Sequence, residues 1–514
     1  MLGPGAAAMK DKSAWQAGMG MGLLVLGALL AYFPSRGYEQ RHVIAATSGC
    51  RVDLIILQKK DAAGPVNSTG AVVLFHGLSA NKYIMTYLAR SFAQLGLTVF
   101  LPDLPGHGRT AGPFTPQGAQ DCAASLLRGL EGRGMIVPER TILAGHSMGA
   151  AIALRVAPGF RPAGVIALSP APMKAEHGVT PEKMLFRGVP TILPNTLISA
   201  GKFEPEGLAA NAADLVPATN TDPTIRFYSL PGQSHVSVLF SPGAARMVQN
   251  WAAGVLRLPD SGQLPTRVFL VGGVLGFVGI LVLAGPFLRE LTTEVPGGEP
   301  REAAAPSPVR ACAEVLGISL IAVSLLRYLH PLKMLRLFEG DYLAGFFLLV
   351  GLGLLALHPK PALKKLRAKP GVVLAAGFAA LILHLLVTGW FDLTITGAWL
   401  NLQRWERFPV FFVAAFLYLY GLETVLGPVA EPRLRLRLDL SSILLAWLCL
   451  GMATFYLHSG QILVVLLAPY FALFFVLSRL GARLVRSRTA SQTAAAVFGA
   501  ILLAGFCLVL FPVS

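Results

Sequence analysis

Hydrophobic and polar residues change their pattern twice along the chain. A polar start leads into one apolar run, a stretch of mixed charged and apolar residues follows, and eight further apolar runs come after it. Each run is about as long as a helix that crosses a bilayer, roughly 20 residues. The pattern predicts four segments: an N-terminus at 1–16, a transmembrane anchor at 17–33, a domain at 34–262, and a membrane domain with about eight transmembrane helices at 263–514.

The first apolar run has two interpretations, an uncleaved anchor and a secretory signal peptide. A signal peptide ends in a cleavage site of small residues. The stretch LLAYFPSR after the run has no clear site of this kind, which favours the anchor.

The middle domain alternates short runs rich in β-branched and aromatic residues with stretches that can form amphipathic helices. Those stretches include 82–95, 116–133 and 239–257. Strands that alternate with helices predict a mostly parallel sheet with helices on both faces. Only 25 residues separate the strand-like runs VIALS and NTLISAG, too few for a large cap. We therefore expect a capless α/β domain joined to an all-α membrane domain, with about nine transmembrane helices in total.

The distribution of charged residues predicts how these helices are oriented in the membrane. The 514 residues carry 43 Lys and Arg against 27 Asp and Glu, a net charge of +16. With a cytoplasmic N-terminus, the short cytoplasmic segments hold 17 basic residues and the opposite short loops hold 4. The positive-inside rule then predicts an extracytoplasmic domain at 34–262 and an extracytoplasmic C-terminus. Because topology accounts for most of the charge excess, nucleic acid is not an expected partner.

Cysteine usage suggests no metal site. The five cysteines form no CxxC pair and no metal-like cluster, and we expect neither a metal nor a cofactor. Only Cys50 and Cys122 lie outside apolar runs. A disulfide between them would fit an exported domain, but the sequence leaves their pairing open.

The clearest chemical motif is Gly145-His146-Ser147-Met148-Gly149. It follows a strand-like run and precedes a helical one, the context in which G-x-S-x-G lifts a serine hydroxyl above the edge of a sheet. Upstream, a strand ends in FHGL, and the backbone N–H of Leu78 is expected to form an oxyanion hole with that of Met148. Downstream come Glu204 and then His235, and this order of serine, acid and histidine is the one the architecture uses.

These motifs resemble the α/β-hydrolase family, especially its monoacylglycerol lipase and dienelactone hydrolase branches. The FHG loop, LPDLPGHGRT, GHSMG and GQSH carry the resemblance, which covers about residues 41–257. It implies that Ser147 is the nucleophile, His235 the general base and Glu204 the orienting acid. His76 and His146 are expected to shape loops. The family more often has Asp at the acid position, so Glu206, Asp214 and Asp222 remain alternatives.

The membrane half shows no pump or channel motif. His384 and Glu423 lie deep in apolar runs, where we expect them to form hydrogen bonds inside the bundle. The segment 391–407 mixes Trp399 and Trp405 with charged residues and is typical of an interfacial element, a candidate substrate gate.

Together these features predict a membrane-embedded serine hydrolase of the esterase or lipase type that cleaves a lipid or amphiphilic ester at the extracytoplasmic face. An acyltransferase, a peptidase or a thioesterase would use the same three residues. A non-catalytic lipid-binding or transport protein is the remaining alternative. The sequence does not determine the substrate or the oligomeric state.

Overall fold

The computed structural model describes residues 4–47, 49–61, 69–179, 184–216, 219–259, 262–291, 307–329, 332–359, 368–429, 431–457, 459 and 461–514. The chain forms two compact units. The sheet unit comprises Gly27–Val274, Phe391–Gly397 and Pro512–Ser514, and the helical unit comprises Met1–Leu26, Leu275–Trp390 and Ala398–Phe511.

The sheet unit is built on eight strands. They are β1 (Tyr38–Ala46), β2 (Arg51–Lys59), β3 (Ala71–Phe75), β4 (Thr98–Pro102), β5 (Thr141–His146), β6 (Gly164–Leu168), β7 (Thr196–Gly201) and β8 (Ile225–Leu230). Their order is β1-β2-β4-β3-β5-β6-β7-β8. Strands β1, β2 and β4 pair antiparallel, and every pair from β4 to β8 is parallel.

The α-helices follow in chain order. They are α1 (Pro4–Tyr32), α2 (Thr86–Ala93), α3 (Pro116–Glu131), α4 (Met148–Phe160), α5 (Glu206–Ala213), α6 (Pro242–Leu256), α7 (Val268–Leu291), α8 (Pro308–Leu329), α9 (Gly340–Leu357), α10 (Pro370–Thr394), α11 (Leu402–Trp405), α12 (Phe408–Leu426), α13 (Pro432–Phe455), α14 (Ile462–Leu466), α15 (Ala468–Thr489) and α16 (Gln492–Leu510). Short 3-10 helices span Phe33–Gly37, Lys82–Met85, Pro138–Arg140 and Ser237–Phe240.

Local sequence explains where the helices of the sheet unit begin. Thr115 accepts a hydrogen bond from Gly118 N at the start of α3, and Ser241 accepts one from Ala244 N at the start of α6. A proline follows each cap, at the position where a helix needs no N–H donor. Helices α2 and α6 share one apolar cluster with alternate residues of the central strands, while α4 packs on β5 and β6 and against α3.

The predicted fold class is confirmed, because the sheet is mostly parallel and lies among helices. The strands β3 to β7 are continuous apolar runs with every residue buried, as expected for a sheet covered on both faces. Between β6 and β7, the described residues 169–179 and 184–195 include no helix.

Nine helices among the described residues are long and apolar enough to cross a bilayer. The first candidate span is Ser13–Gly37, and the others are α7, α8, α9, α10, α12, α13, α15 and α16. These helices indicate a membrane protein.

Two of these helices differ from the sequence prediction. The apolar residues at 441–458 and 461–478 predict two spans at about those positions, but α13 begins at Pro432 and α15 continues to Thr489. The additional turns carry buried arginines. Glu423 pairs with Arg435 and Arg479, each at 2.8 Å, and also with Arg486. Because these arginines form ion pairs inside the bundle, the helices continue through positions that resemble a charged loop.

The expectation for the two deep ionisable residues is therefore confirmed for Glu423. His384 packs instead against the rings of Trp405 and Phe506, and its Nδ1 has no hydrogen-bond partner among the described residues.

Candidate active site

Ser147 occupies a sharp turn between β5 and α4. Its φ of +53° lies in a region that L-residues rarely adopt. The flanking glycines make the turn possible: a Cβ on Gly145 would lie 2.3 Å from the backbone of Gly149, and one on Gly149 would lie 2.3 Å from the Phe75 carbonyl oxygen. The Ser147 N–H donates to the carbonyl of Leu168 at 2.9 Å, which fixes the turn to the end of β6.

His235 and Glu204 complete a hydrogen-bonded chain with this serine. His235 Nε2 lies 3.0 Å from Ser147 Oγ, and His235 Nδ1 lies 3.1 Å from Glu204 Oε2. The three side chains follow β5, β7 and β8, so the carboxyl ends of parallel strands bring them to one edge of the sheet. Because an ionised carboxylate only accepts, Nδ1 carries the proton and Nε2 accepts from the serine hydroxyl.

Glu204 is buried yet held as an anion. Burial alone would raise the pKa of its carboxyl group, but hydrogen bonds from His235, Ser169 and the Gly201 N–H outweigh burial and hold the pKa below its usual value. Gly201 N donates to Oε1 at 2.7 Å and the Ser169 hydroxyl donates to the same oxygen. Oε2 is thereby oriented towards the histidine. Ser169 is a residue that the sequence reasoning missed.

The alternative acids have other partners. Asp214 lies 2.6 Å from His177 Nε2, and Asp222 accepts hydrogen bonds from the backbone and hydroxyl of Thr224. The side chain of Glu206 lies outside the described residues. Among the acids whose side chains are described, Glu204 is the one that meets His235.

His146 is a second group that supports the histidine loop. Its Nε2–H donates to the backbone carbonyl of His235 at 2.7 Å. Burial, followed by repulsion from His235, lowers the pKa of His146 to about 3, so its ring stays neutral. It therefore positions the loop, as expected from the sequence, although nothing in the sequence identified its partner.

The loop that carries Leu78 is fixed from both sides. The Nδ1–H of His76 donates to the Gly77 carbonyl at 2.8 Å, and its Nε2 accepts from the Leu104 N–H at 3.0 Å. Burial lowers the pKa of this imidazole and keeps it neutral. A Cβ on Gly77 would lie 3.2 Å from the Ser147 Cβ, so the loop passes directly beside the serine.

Met148 is the first residue of α4. The first N–H groups of a helix have no partner within the helix. Met148 directly follows Ser147 in the chain, and Gly77, the residue before Leu78, lies beside Ser147 on another element.

A buried ion cluster joins Lys82, which follows Leu78 in the chain, to Asp103 and Asp53. Asp103 accepts hydrogen bonds from Lys82 N at 2.8 Å and Arg109 N at 2.9 Å, and Lys82 Nζ lies 2.5 Å from Asp103 and 2.6 Å from Asp53. The second glycine of the PGHG stretch is required here, because a Cβ on Gly108 would lie 2.2 Å from the Asp103 carboxylate.

Two later segments of the chain also contact these loops within the sheet unit. Asn81 donates to the carbonyl of Gly397 at 2.6 Å and accepts from its N–H at 3.1 Å. Arg109 forms an ion pair with Asp392 at 2.8 Å. The sequence suggested 391–407 as an interfacial gate, and residues 391–397 belong to the sheet unit.

The second segment is the stretch around Val513. Its carbonyl accepts from Phe114 N at 2.5 Å, and its N–H donates to the carbonyl of Gly106 at 3.0 Å. The sequence reasoning missed this pairing, because no local pattern connects positions about four hundred residues apart.

One group of potential metal ligands occurs among the described residues. Ligand atoms of Glu176, His177 and Asp214 lie within 4.8 Å of one another. Glu176 and His177 are exposed, and surface acids often gather without a metal. The group shares no residue with the chain from Ser147 to Glu204.

Comparison with known proteins gives a consistent result. Residues 72–313 match the alpha/beta hydrolase family. Two uncharacterized proteins of Mycobacterium tuberculosis, one from each of two strains, are 28% identical over 178 residues, which is 32% of this chain. The chain spans 62% of the length of these curated relatives.

Among solved structures, a serine hydrolase without lid from Xanthomonas campestris covers 45% of this chain and 97% of its own, with 20% identity and a TM-score of 0.33. A thermostable esterase from Pseudomonas putida covers 48% of this chain and 89% of its own, with 14% identity and a TM-score of 0.35. The strand order and the family match together show that the sheet unit has an alpha/beta hydrolase fold.

Proposed function

We propose that the protein is a membrane-embedded serine hydrolase of the esterase or lipase type, acting on an ester of a lipid or amphiphilic substrate at the extracytoplasmic face. The observation that carries the proposal is the hydrogen-bonded chain from Ser147 through His235 to Glu204, with the serine on a strained turn. A buried carboxylate, an imidazole and a hydroxyl in this order form the arrangement that activates a serine for attack on a carbonyl group.

The reaction follows from the positions of these atoms. Ser147 Oγ attacks the ester carbonyl carbon while His235 Nε2 takes the hydroxyl proton, and Glu204 stabilises the imidazolium that results. The N–H groups of Leu78 and Met148 donate to the oxyanion of the tetrahedral intermediate. His235 then protonates the leaving alcohol, and an acyl group remains on Ser147.

Water completes the cycle. His235 Nε2 accepts a proton from a water molecule that attacks the acyl carbonyl, and the returning proton restores the Ser147 hydroxyl. The products are one alcohol and one carboxylic acid, and the enzyme is unchanged.

The lipid substrate is supported by the nine apolar helices and by the absence of a helix in the described residues between β6 and β7. The extracytoplasmic face is supported by the distribution of basic residues. It is also supported by the disulfide between Cys50 and Cys122, because disulfides persist mainly in oxidising compartments.

Covalent labelling tests the nucleophile. The full chain in native-like membranes should react with a fluorophosphonate probe, and Ser147→Ala should abolish the reaction. Ser487→Ala, at an exposed serine of the helical unit, serves as the matched control. A folded wild-type chain that fails to label would contradict hydrolysis.

A panel of lipid esters, short esters, amides and thioesters then defines the bond that is cleaved. Activity on an ester that disappears in Ser147→Ala supports an esterase. Cleavage restricted to amides, or transfer of the acyl group to an acceptor other than water, would replace this proposal with a peptidase or an acyltransferase.

Orientation is tested by cysteine accessibility in intact cells, in a chain that carries Cys312→Ser. A membrane-impermeant maleimide should label Arg226→Cys, at an exposed position of β8, and should not label Ser487→Cys until the membrane is opened. The reverse pattern would invert the proposed topology.

A further inference from the structure

A cavity of about 190 Å³ lies in the sheet unit, and none of the site residues described above lines it. Its wall includes Lys59 at the end of β2, Arg90 of α2, and the turn that follows α1. The residues immediately before α7 close the other side. The proposed hydrolysis gives this cavity no role.

Arg90 is a buried cation that has no anionic partner among the described residues. It is 4% exposed, and its Nη2 donates to Ser35 Oγ at 2.7 Å. The rings of Tyr38 and Phe269 lie 5.2 and 4.6 Å from its guanidinium carbon. In the part of the chain that the structure describes, no hydrogen-bond partner meets its Nε or Nη1, and no carboxylate forms an ion pair with it.

A buried guanidinium whose N–H groups lack acceptors is unfavourable unless an anion pairs with it. Burial lowers the pKa of Arg90 to about 10, which shows how poorly the charge is solvated. The two rings stabilise the cation through its faces, but guanidinium N–H groups point outward in its plane and need acceptors. An oxyanion in the cavity would supply both the acceptors and the counter-charge. Lys59 adds a second, half-buried cation to the wall, and Asp61 is exposed at its rim.

The cavity also lies where two candidate membrane spans meet the domain. Gly37 is the last residue of the span Ser13–Gly37, and Pro265 and Thr266 precede the span that begins at Val268. The two helices approach closely, because a Cβ on Gly272 would lie 2.6 Å from the carbonyl oxygen of Gly27. The ends of membrane helices lie at the level of the lipid headgroups.

We propose that this cavity binds the phosphate group of a phospholipid headgroup, with Arg90 Nε and Nη1 as donors and Lys59 as a second cation. Phosphate presents several strong acceptor oxygens to donors that point in different directions, which suits an arginine and a lysine that line the same cavity. The lipid source rests on the proposed membrane setting, whereas the preference for phosphate rests on the cavity alone.

Lipid binding to the full chain tests the proposal. The protein is purified in a maltoside detergent, stripped of lipid and titrated with dioctanoyl phosphatidylglycerol, and bound lipid is counted by native mass spectrometry. One equivalent should bind in the cavity, and dioctanoylglycerol, which lacks the phosphate, should not displace it. Arg90→Gln should weaken binding roughly tenfold, because it removes charged donors. Arg36→Gln, at an exposed arginine next to Gly37, is the matched control and should bind as the wild type does.

The remaining arms separate the sources of the anion. Inorganic phosphate that displaces the lipid at a similar concentration would support a phosphate site and overturn the lipid source. Octanoate that displaces the lipid better than phosphate does would overturn both. Equal binding by Arg90→Gln and wild type would overturn the site. If Arg90→Gln does not fold, Lys59→Gln decides: weaker binding supports the site, and unchanged binding overturns it.

Discussion

Glu204 shows how a carboxylate can be buried and remain charged. Its two oxygens have separate partners: Oε1 accepts from Ser169 and Gly201, and Oε2 faces the His235 ring. If Glu204 orients the imidazole, removing its charge while keeping its shape should affect catalysis far more than stability.

Glu204→Gln is therefore expected to lower kcat for an ester by about 10³- to 10⁴-fold, since the amide no longer stabilises the imidazolium. Asp222→Asn, at an acid that accepts a hydrogen bond from the Thr224 N–H, should leave kcat unchanged. Steady-state kinetics and thermal unfolding of both variants check this. Equal kcat for Glu204→Gln and wild type would assign the acid to another residue.

His146 predicts a pH dependence of stability. Its pKa is lowered to about 3 in the folded chain, from an ordinary value of 6.5. Below pH 6.5 the unfolded chain therefore takes up a proton that the folded chain does not, so stability is complete above pH 6.5 and is lost as the pH falls towards 3. One such group changes the free energy of unfolding by about 1.4 kcal/mol per pH unit.

The measurement is thermal unfolding of the full chain in detergent between pH 7 and pH 5. His146→Gln should lose stability less steeply than wild type over this range. His76 also has a lowered pKa and is present in both chains, so the difference between them isolates His146. Parallel pH profiles would show that His146 is protonated in the folded protein.

At the scale of elements, the turn from β5 to α4 depends on a close approach of backbones. Gly149→Ala would place a Cβ 2.3 Å from the Phe75 carbonyl oxygen, so β3 and α4 must separate. We expect a loss of about 1–3 kcal/mol or more and a misplaced Ser147.

Gly254→Ala in α6 is the matched control. A Cβ there meets nothing within 4 Å, and the helix should gain about 0.5–1 kcal/mol. The unfolding temperatures of the two variants should move in opposite directions, and probe labelling should fall only in Gly149→Ala. A stable and fully active Gly149→Ala chain would refute the tight turn.

The elements also show what the sequence could predict. The run RTILAGH predicts a strand that the structure begins at Thr141, because a strand buried on both faces reads as a continuous apolar run. The order in which β4 lies between β2 and β3 was not predictable, since it depends on pairing between distant segments. The ends of α13 and α15 were wrong for the same reason: their arginines form ion pairs with Glu423 on another helix.

In the candidate site, too, local sequence predicted some features and missed others. The turn motif and the positions of Glu204 and His235 after strands could be read locally, and the structure brings these side chains together. Their catalytic roles stay predictions. Ser169 was missed, although it ends the run VIALS at the same sheet edge, and that position was the available signal.

At the scale of the whole molecule, the disulfide ties the turn between β1 and β2 to α3. Cys50 and Cys122 are separated by 72 residues. A crosslink over such a loop restricts the unfolded chain and is worth about 4 kcal/mol in the chain-entropy treatment.

The double variant Cys50→Ser, Cys122→Ser should therefore unfold at a clearly lower temperature than wild type. Cys312→Ser, which removes a free cysteine, is the control. Wild type in reducing agent should behave as the double variant does. If reduction leaves the unfolding temperature unchanged, the bond does not stabilise the protein.

The pairing of Val513 with Gly106 and Phe114 bears on the order of biosynthesis. Val513 follows all nine candidate spans in the chain. The ribosome makes the strands and loops around Ser147 first, yet this backbone pairing waits until α16 has been translated. The loop from Gly106 to Phe114 thus reaches its final form only after the last of these helices has left the ribosome, which separates the synthesis of the sheet unit from its maturation.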